Sequence, residues 1–133
     1  MNNPLTIAID FDGTIVEHKY PEIGKELPLA THTLKTLAQK GHRLILWTYR
    51  SGRELDEAVE FCRSRGVEFY AINKNFPEEE FTPDVSRKIL ADLYIDDRNL
   101  RGIPSWPEIY HIIHPEEAPS APPQKKTPRW KFW

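Results

Sequence analysis

The sequence predicts an α/β fold: a mostly parallel five-stranded sheet between two helical layers, a three-layer α/β/α sandwich. Two observations predict it. Short apolar runs alternate along the chain with segments of helical period, the pattern of strands joined by crossover helices. Polar residues, several of them acidic, fall at the ends of those runs, where parallel sheets bind ligands.

Each element has its own justification. Residues 5–9 (LTIAI) form an apolar run suited to a strand buried on both faces, and it stops at Asp10. Residues 13–27 carry Gly13, Pro21 and Gly24 among charges and predict a loop or small flap. Residues 29–40 predict a helix. Ala30, Leu34, Leu37 and Ala38 share one face, and Gly41 is placed to end it. Residues 44–48 (LILWT) predict a second buried strand. Ser51 and Glu54 have the spacing of a capping box, and Leu55, Ala58, Val59 and Cys62 follow at helical spacing up to Gly66. Cys62 then reads as a core thiol. Residues 67–72 predict a third strand, 76–83 a proline-containing loop, and 84–90 a short helix. Residues 93–95, ending at Asp96-Asp97, predict a fourth strand, and 109–113 (IYHII) a fifth.

Composition narrows the function. The 133 residues suit one domain, and the net charge of −2 offers no global basic field for nucleic acid or an anionic membrane. That average hides an asymmetry. Residues 1–114 carry 14 Lys/Arg and 18 Asp/Glu, whereas 115–133 carry 4 and 2, with 5 of the 12 prolines. The predicted catalytic unit is therefore 1–114, followed by a proline-rich, basic and aromatic tail, extended or disordered, ending in Trp130, Phe132 and Trp133. That tail can dock on its own or a neighbouring subunit. One cysteine excludes a disulfide framework or a multi-cysteine zinc site. No signal peptide or membrane span is read from the sequence, and the expected compartment is the cytoplasm. His32, His42, His111 and His114 have no metal-ligand spacing and read as structural or surface residues.

The topology brings Asp10, Asp12, Thr48, Asp96 and Asp97 to one sheet edge. Four carboxylates there repel one another unless a cation sits among them. An oxygen-only set favours a hard cation, and Mg²⁺ suits a site that keeps waters and meets a phosphate. Gly13 permits a tight turn whose amides face an anion.

Asp10-Phe11-Asp12-Gly13-Thr14 after an apolar strand, Thr48 ending the next, a downstream lysine and the Asp96-Asp97 pair closely resemble the haloacid dehalogenase-like (HAD) superfamily of phosphohydrolases. The resemblance spans residues 5–113 and implies a Rossmann-like core. It implies that Asp10 is the nucleophile, forming an aspartyl-phosphate, and that Asp12 is the general acid/base. It implies Mg²⁺ held by Asp10, the Asp12 backbone carbonyl and Asp96, with Asp97 as ligand or supporting partner. Thr48 would bond a phosphoryl oxygen. Gly13, Thr14, Thr48 and Arg50 are the candidate substrate-binding residues. Lys88, in RKILADLYIDD, resembles the lysine of the deoxyribonucleotidase-type branch; Lys74 is the alternative. Neither interval between motifs has room for a cap domain, so the expected enzyme is capless with an open site. Its expected partner is a phosphorylated small molecule, a nucleotide or sugar phosphate, with closure by a homo-oligomer as one option. The competing readings are a HAD-like module that binds phosphate without catalysis and a receiver-like signalling module. The receiver module places its phosphoacceptor on a middle strand, unlike Asp10.

Overall fold

The computed structural model describes residues 3–84 and 86–117. The strands are β1 (Thr6–Ile9), β2 (Arg43–Leu46), β3 (Ala71–Ile72) and β4 (Leu93–Ile95). The helices are α1 (Ala30–Gln39), α2 (Gly52–Ser64) and α3 (Trp106–Ile113), and a 3-10 turn covers Pro115–Glu117. The sheet is parallel throughout, in the order β3-β2-β1-β4. Among the described residues no helix is long and apolar enough to cross a membrane.

Strand alternation divides the core in two. Ile7, Ile9, Leu44, Leu46 and Ile95 face one side and meet Leu34 and Leu37 of α1, Ala58 and Cys62 of α2, and Trp106 and Ile109 of α3. Each such fully buried aliphatic side chain contributes about 1.5–3 kcal/mol over an exposed one. Burial pushes the Cys62 thiol up to about 12, so it is an inert core group, as its helical spacing predicts. On the other side, among the described residues, Ala8, Ile45 and Ala71 meet Ile89, with Trp47 and Ala91 at the margin. Right-handed crossovers explain the difference. The two connections β1–β2 and β2–β3 run in one direction across the sheet and share a face. The β3–β4 connection returns past β1 and must use the opposite face.

That return connection corrects the expected second helical layer. The described residues of 84–90 form no helix: Asp84 lies in a turn and Arg87 and Lys88 in a bend. The Lys88 amide donates to Ser86 Oγ (3.1 Å), and the Leu90 amide to Asn75 Oδ1 (2.7 Å). Side-chain acceptors that capture these amides compete directly with helical bonding. The sheet is also one strand short of the expected five. Residues 109–113 lie in α3, because Ser105 and Glu108 form a reciprocal capping box and Pro107 occupies the first turn. The box expected at Ser51 does not form. Gly52, at φ +57, breaks the helical geometry that would let Ser51 reach back. The third strand is shorter than 67–72. Val67 is buried against the end of α2, its amide bonding Cys62 O, and only Ala71–Ile72 pair with β2.

The start of α1 has no local cap. Instead the Glu26 carboxylate, from the flap, accepts from the Thr31 amide (2.8 Å) and hydroxyl (2.6 Å). The Trp106 indole donates to Thr14 O (3.0 Å), tying α3 to the loop after β1. Glu117 reaches Lys40 and Tyr110, so ordered contacts continue past residue 114. Residues 118–133, most of the expected tail, lie outside the described residues.

Candidate active site

The register builds the site. Ile9 pairs with Leu46 on one side and Ile95 on the other. The ladder continues one residue further, with the Asp10 amide donating to Ile95 O (3.0 Å) and the Trp47 amide to Ile9 O (2.8 Å). Trp47, Asp10 and Asp96 therefore stand in a row on three adjacent strands, on the face opposite the helices. The row crosses the β1/β4 boundary, where the connections diverge, the position at which open parallel sheets bind ligands.

Carboxylate oxygens of Asp10, Asp96 and Asp97 all lie within 4.8 Å of one another. The Asp10 carboxyl is raised from 3.8 to about 7, first by burial and then by the charge of Asp96, with Asp97 adding to it and the Phe11 amide opposing. One oxygen of Asp97, Oδ1, is buried without a hydrogen-bond partner among the described residues. Crowded carboxylates, a neutralised acid and an unpaired oxygen are all relieved by one hard divalent cation, so these three residues fit Mg²⁺.

The DFDGT loop is shaped around that cluster. Thr14 Oγ1 donates to Asp10 Oδ2 (3.3 Å) and accepts from the Asp97 amide (3.0 Å), linking the ends of β1 and β4. Gly13 has φ +87, and a Cβ there would collide with the Asp97 carboxylate and lie 2.8 Å from the His18 ring. Only glycine lets the loop pass so close. The amides of Gly13 and Thr14 turn inward, to Val16 O and Phe11 O, rather than outward as the sequence suggests.

Asp12 leaves the cluster. Phe11 O accepts from the amides of Thr14, Ile15 and Val16, and this turn carries Asp12 inward. There Arg50 grips both of its oxygens, Nε to Oδ2 and Nη2 to Oδ1, each at 2.8 Å, with both side chains fully buried. The remaining N–H groups of Arg50 donate to Pro21 O and Glu54 O from Nη1 and to Glu22 O from Nη2. All five of its donors are used, and its guanidinium lies 5.1 Å from the Phe11 and Tyr20 ring centres. Arg50 thus joins the flap, the motif loop and α2, and does not face the open edge.

Thr48 sits beyond the end of β2, with its amide on Asn73 Oδ1 (2.8 Å) and its hydroxyl oxygen accepting the Arg50 amide (3.1 Å). Its hydroxyl proton stays available to a ligand. Lys88 lines a cavity of about 410 Å³ together with Asp96 and Trp47. Lys74 instead donates to Pro77 O within its own loop. Sequence reasoning missed Asn73, Glu26 and Trp106, whose roles rest on contacts distant in the chain. Trp47 was legible as a strand-end residue beside Thr48, but its face was not.

The histidines divide. His42 and His114 are buried with Nε2 atoms 3.0 Å apart. The Leu5 amide donates to His42 Nδ1, and His114 Nδ1 meets Glu116 Oε2 (2.8 Å). The amide fixes the tautomers: His42 carries its proton on Nε2 and donates to His114, which donates to Glu116. His114, Glu116 and Glu117 also have the spacing to hold a metal, but Lys40 already neutralises Glu117 at 2.8 Å.

A solved structure of a conserved protein coded by a locus from Bacteroides thetaiotaomicron is similar to this chain at 59% identity. The match covers 87% of this chain and 94% of that one, with a TM-score of 0.81. The two belong to one family. The relationship covers nearly the whole of that protein and most of this chain, so the family's fold is the α/β arrangement described above. No protein-family model matches the chain, and no curated protein does.

Proposed function

We propose that this protein is a capless HAD-type phosphohydrolase with a Rossmann-like core, acting in the cytoplasm on a small phosphate monoester. The observation that carries the reading is the meeting of Asp10, Asp96 and Asp97 at the β1/β4 boundary, beside DFDGT, with one buried oxygen unpaired. Asp10, Asp96 and Asp97 would hold Mg²⁺, together with the Asp12 backbone carbonyl. The ion supplies charge neutralisation between carboxylate and phosphate.

In this reading an Asp10 oxygen attacks phosphorus, the ester P–O bond breaks, and the leaving alcohol takes a proton from Asp12. Water then attacks the aspartyl-phosphate, gives a proton to Asp12, and frees phosphate and Asp10. Thr48 and Lys88 bond phosphoryl oxygens and offset their charge. Asp12 must first leave Arg50, because both its oxygens are engaged there, and take up a proton from water before it can give one.

That engagement is the observation favouring a second reading, a module that binds phosphate without turning it over. A phosphate-release screen over phosphorylated metabolites with Mg²⁺ separates the two. Release that disappears in Asp10→Asn and in Lys88→Ala, with both variants folded, supports the hydrolase. Binding without release supports the module. Loss in Lys74→Ala but not Lys88→Ala moves the lysine assignment.

A further inference from the structure

The same sheet face carries a second feature. Between the strands and the irregular β3–β4 connection lies the cavity of about 410 Å³, floored by Ala8 and walled by Trp47, Tyr94, Lys88, Asp96 and Asn99. Its volume falls in the range of roughly 300–1,000 Å³ typical of small-molecule sites. Its origin is physical. Ala8 is the smallest side chain of the row Ile45–Ala8–Tyr94, and the described chain around Lys88 bends where a helix would have filled the space. Tyr94 is held in place by its hydroxyl, which donates to Ile89 O. Lys88 Nζ lies 5.7 Å from the Tyr94 ring centre.

The lining is chemically graded. Asp96 is the lining residue shared with the carboxylate cluster, and Lys88 lies by the Tyr94 ring. Two aromatic rings and an amide line the remainder. Trp47 is in register with Asp10, one strand away, a lateral spacing of about 4.8 Å. The Trp47 indole is thus the ring on the strand beside Asp10, on the face where Asp10 and Ala8 point.

We propose that this cavity takes the leaving group of the substrate and that the group carries a flat aromatic ring stacked on Trp47, making a nucleoside monophosphate the matching chemical class. The proposal rests on Asp10 being the site that meets phosphate. Stacking of a base on an aromatic side chain is worth about 1–3 kcal/mol, or roughly 5–150-fold in affinity.

The experiment compares adenosine 5′-monophosphate with glycerol 1-phosphate, both with Mg²⁺, by equilibrium binding and by tryptophan fluorescence on the full chain. Wild type should bind the nucleotide at least 5-fold more tightly, with fluorescence quenching. Trp47→Phe keeps a ring and should keep the preference while losing most of the quench. Trp47→Ala should lose the preference. Equal affinity of wild type for the two ligands overturns the proposal, as does a preference or quench that survives in Trp47→Ala. If Trp47→Ala does not fold, an undiminished quench in Trp47→Phe overturns it instead. Failure of the hydrolase reading looks different: a Trp47-dependent preference without phosphate release leaves the cavity assigned and removes the hydrolysis.

Discussion

Removing the Arg50 side chain should unfold a large part of what holds the flap to the core. In Arg50→Ala, the Asp12 carboxylate stays fully buried with neither oxygen paired, and three carbonyls, of Pro21, Glu22 and Glu54, lose a donor. Breaking a buried ion pair from one side costs about 3–5 kcal/mol. Domains of this size have only about 5–15 kcal/mol in total, so the variant should sit near the edge of folding. Urea denaturation measures it directly, the midpoint giving the loss if the slope is unchanged. Arg50→Lys keeps the charge but not the two-pronged grip on Asp12 and should fall between wild type and alanine. The double variant Asp12→Asn/Arg50→Met should recover part of the loss, since no unpaired charge stays inside. A loss below about 1 kcal/mol in Arg50→Ala would refute the reasoning, because it would mean that water or another cation reaches Asp12.

Gly13→Ala should destabilise the fold by about 1–3 kcal/mol and weaken Mg²⁺ binding, since the new methyl collides with Asp97 at a positive φ; calorimetry of both properties checks it. With Asp10 raised to about 7, its own contribution to the stability of the cation-free protein is complete below the ordinary 3.8 of that carboxyl and is lost as pH rises through 7. Thermal melts in EDTA should show this slope, Mg²⁺ at pH 7.5 should raise the melting temperature, and Asp10→Asn should remove the slope. A melt indifferent to Mg²⁺ would argue against the cation site. Burial, and next the neighbouring His114, holds His42 below its ordinary 6.5. Its contribution is complete above 6.5 and fades as pH falls through the lowered value. An NMR titration of the ring that turns at or above 6.5 would contradict this.

Strands β1 and β2 were legible because strands buried on both faces read as unbroken apolar runs, and β4 was legible from its short run ending at Asp96-Asp97 although Tyr94 is exposed. Helices α1 and α2 were legible from their period, and the alignment of Asp10 with Asp96 from topology alone. Other features depended on competition that a short motif does not encode. Two Ser-x-x-Glu segments occur, at 51–54 and 105–108, and only the second closes, because a glycine at φ +57 spoils the first. The isoleucine-rich 109–113 has the composition of a strand, and the cap before it decides for helix. The direction of Asp12 was hidden for a similar reason. Continued alternation would have placed it beside Asp10, but three amides converging on Phe11 O end the strand and turn it inward. Arg50 follows from that turn: it is drawn to a buried carboxylate that only the folded loop creates.

The sheet's two-residue period has a consequence for how this protein can change. On the central strands, Ile7, Ile9, Leu44 and Leu46 point to the helices, while Ala8, Asp10, Ile45 and Trp47 point to the cavity face. Substitutions at the first set are felt as lost stability, and those at positions 10 and 47 as altered ligand handling. Among the described residues, the connection above the cavity contributes Ile89 and Ala91 to that side's core. It can therefore vary in sequence and length at little cost to folding, so a new ligand preference can arise in relatives without disturbing the helical side that keeps the carboxylates in register.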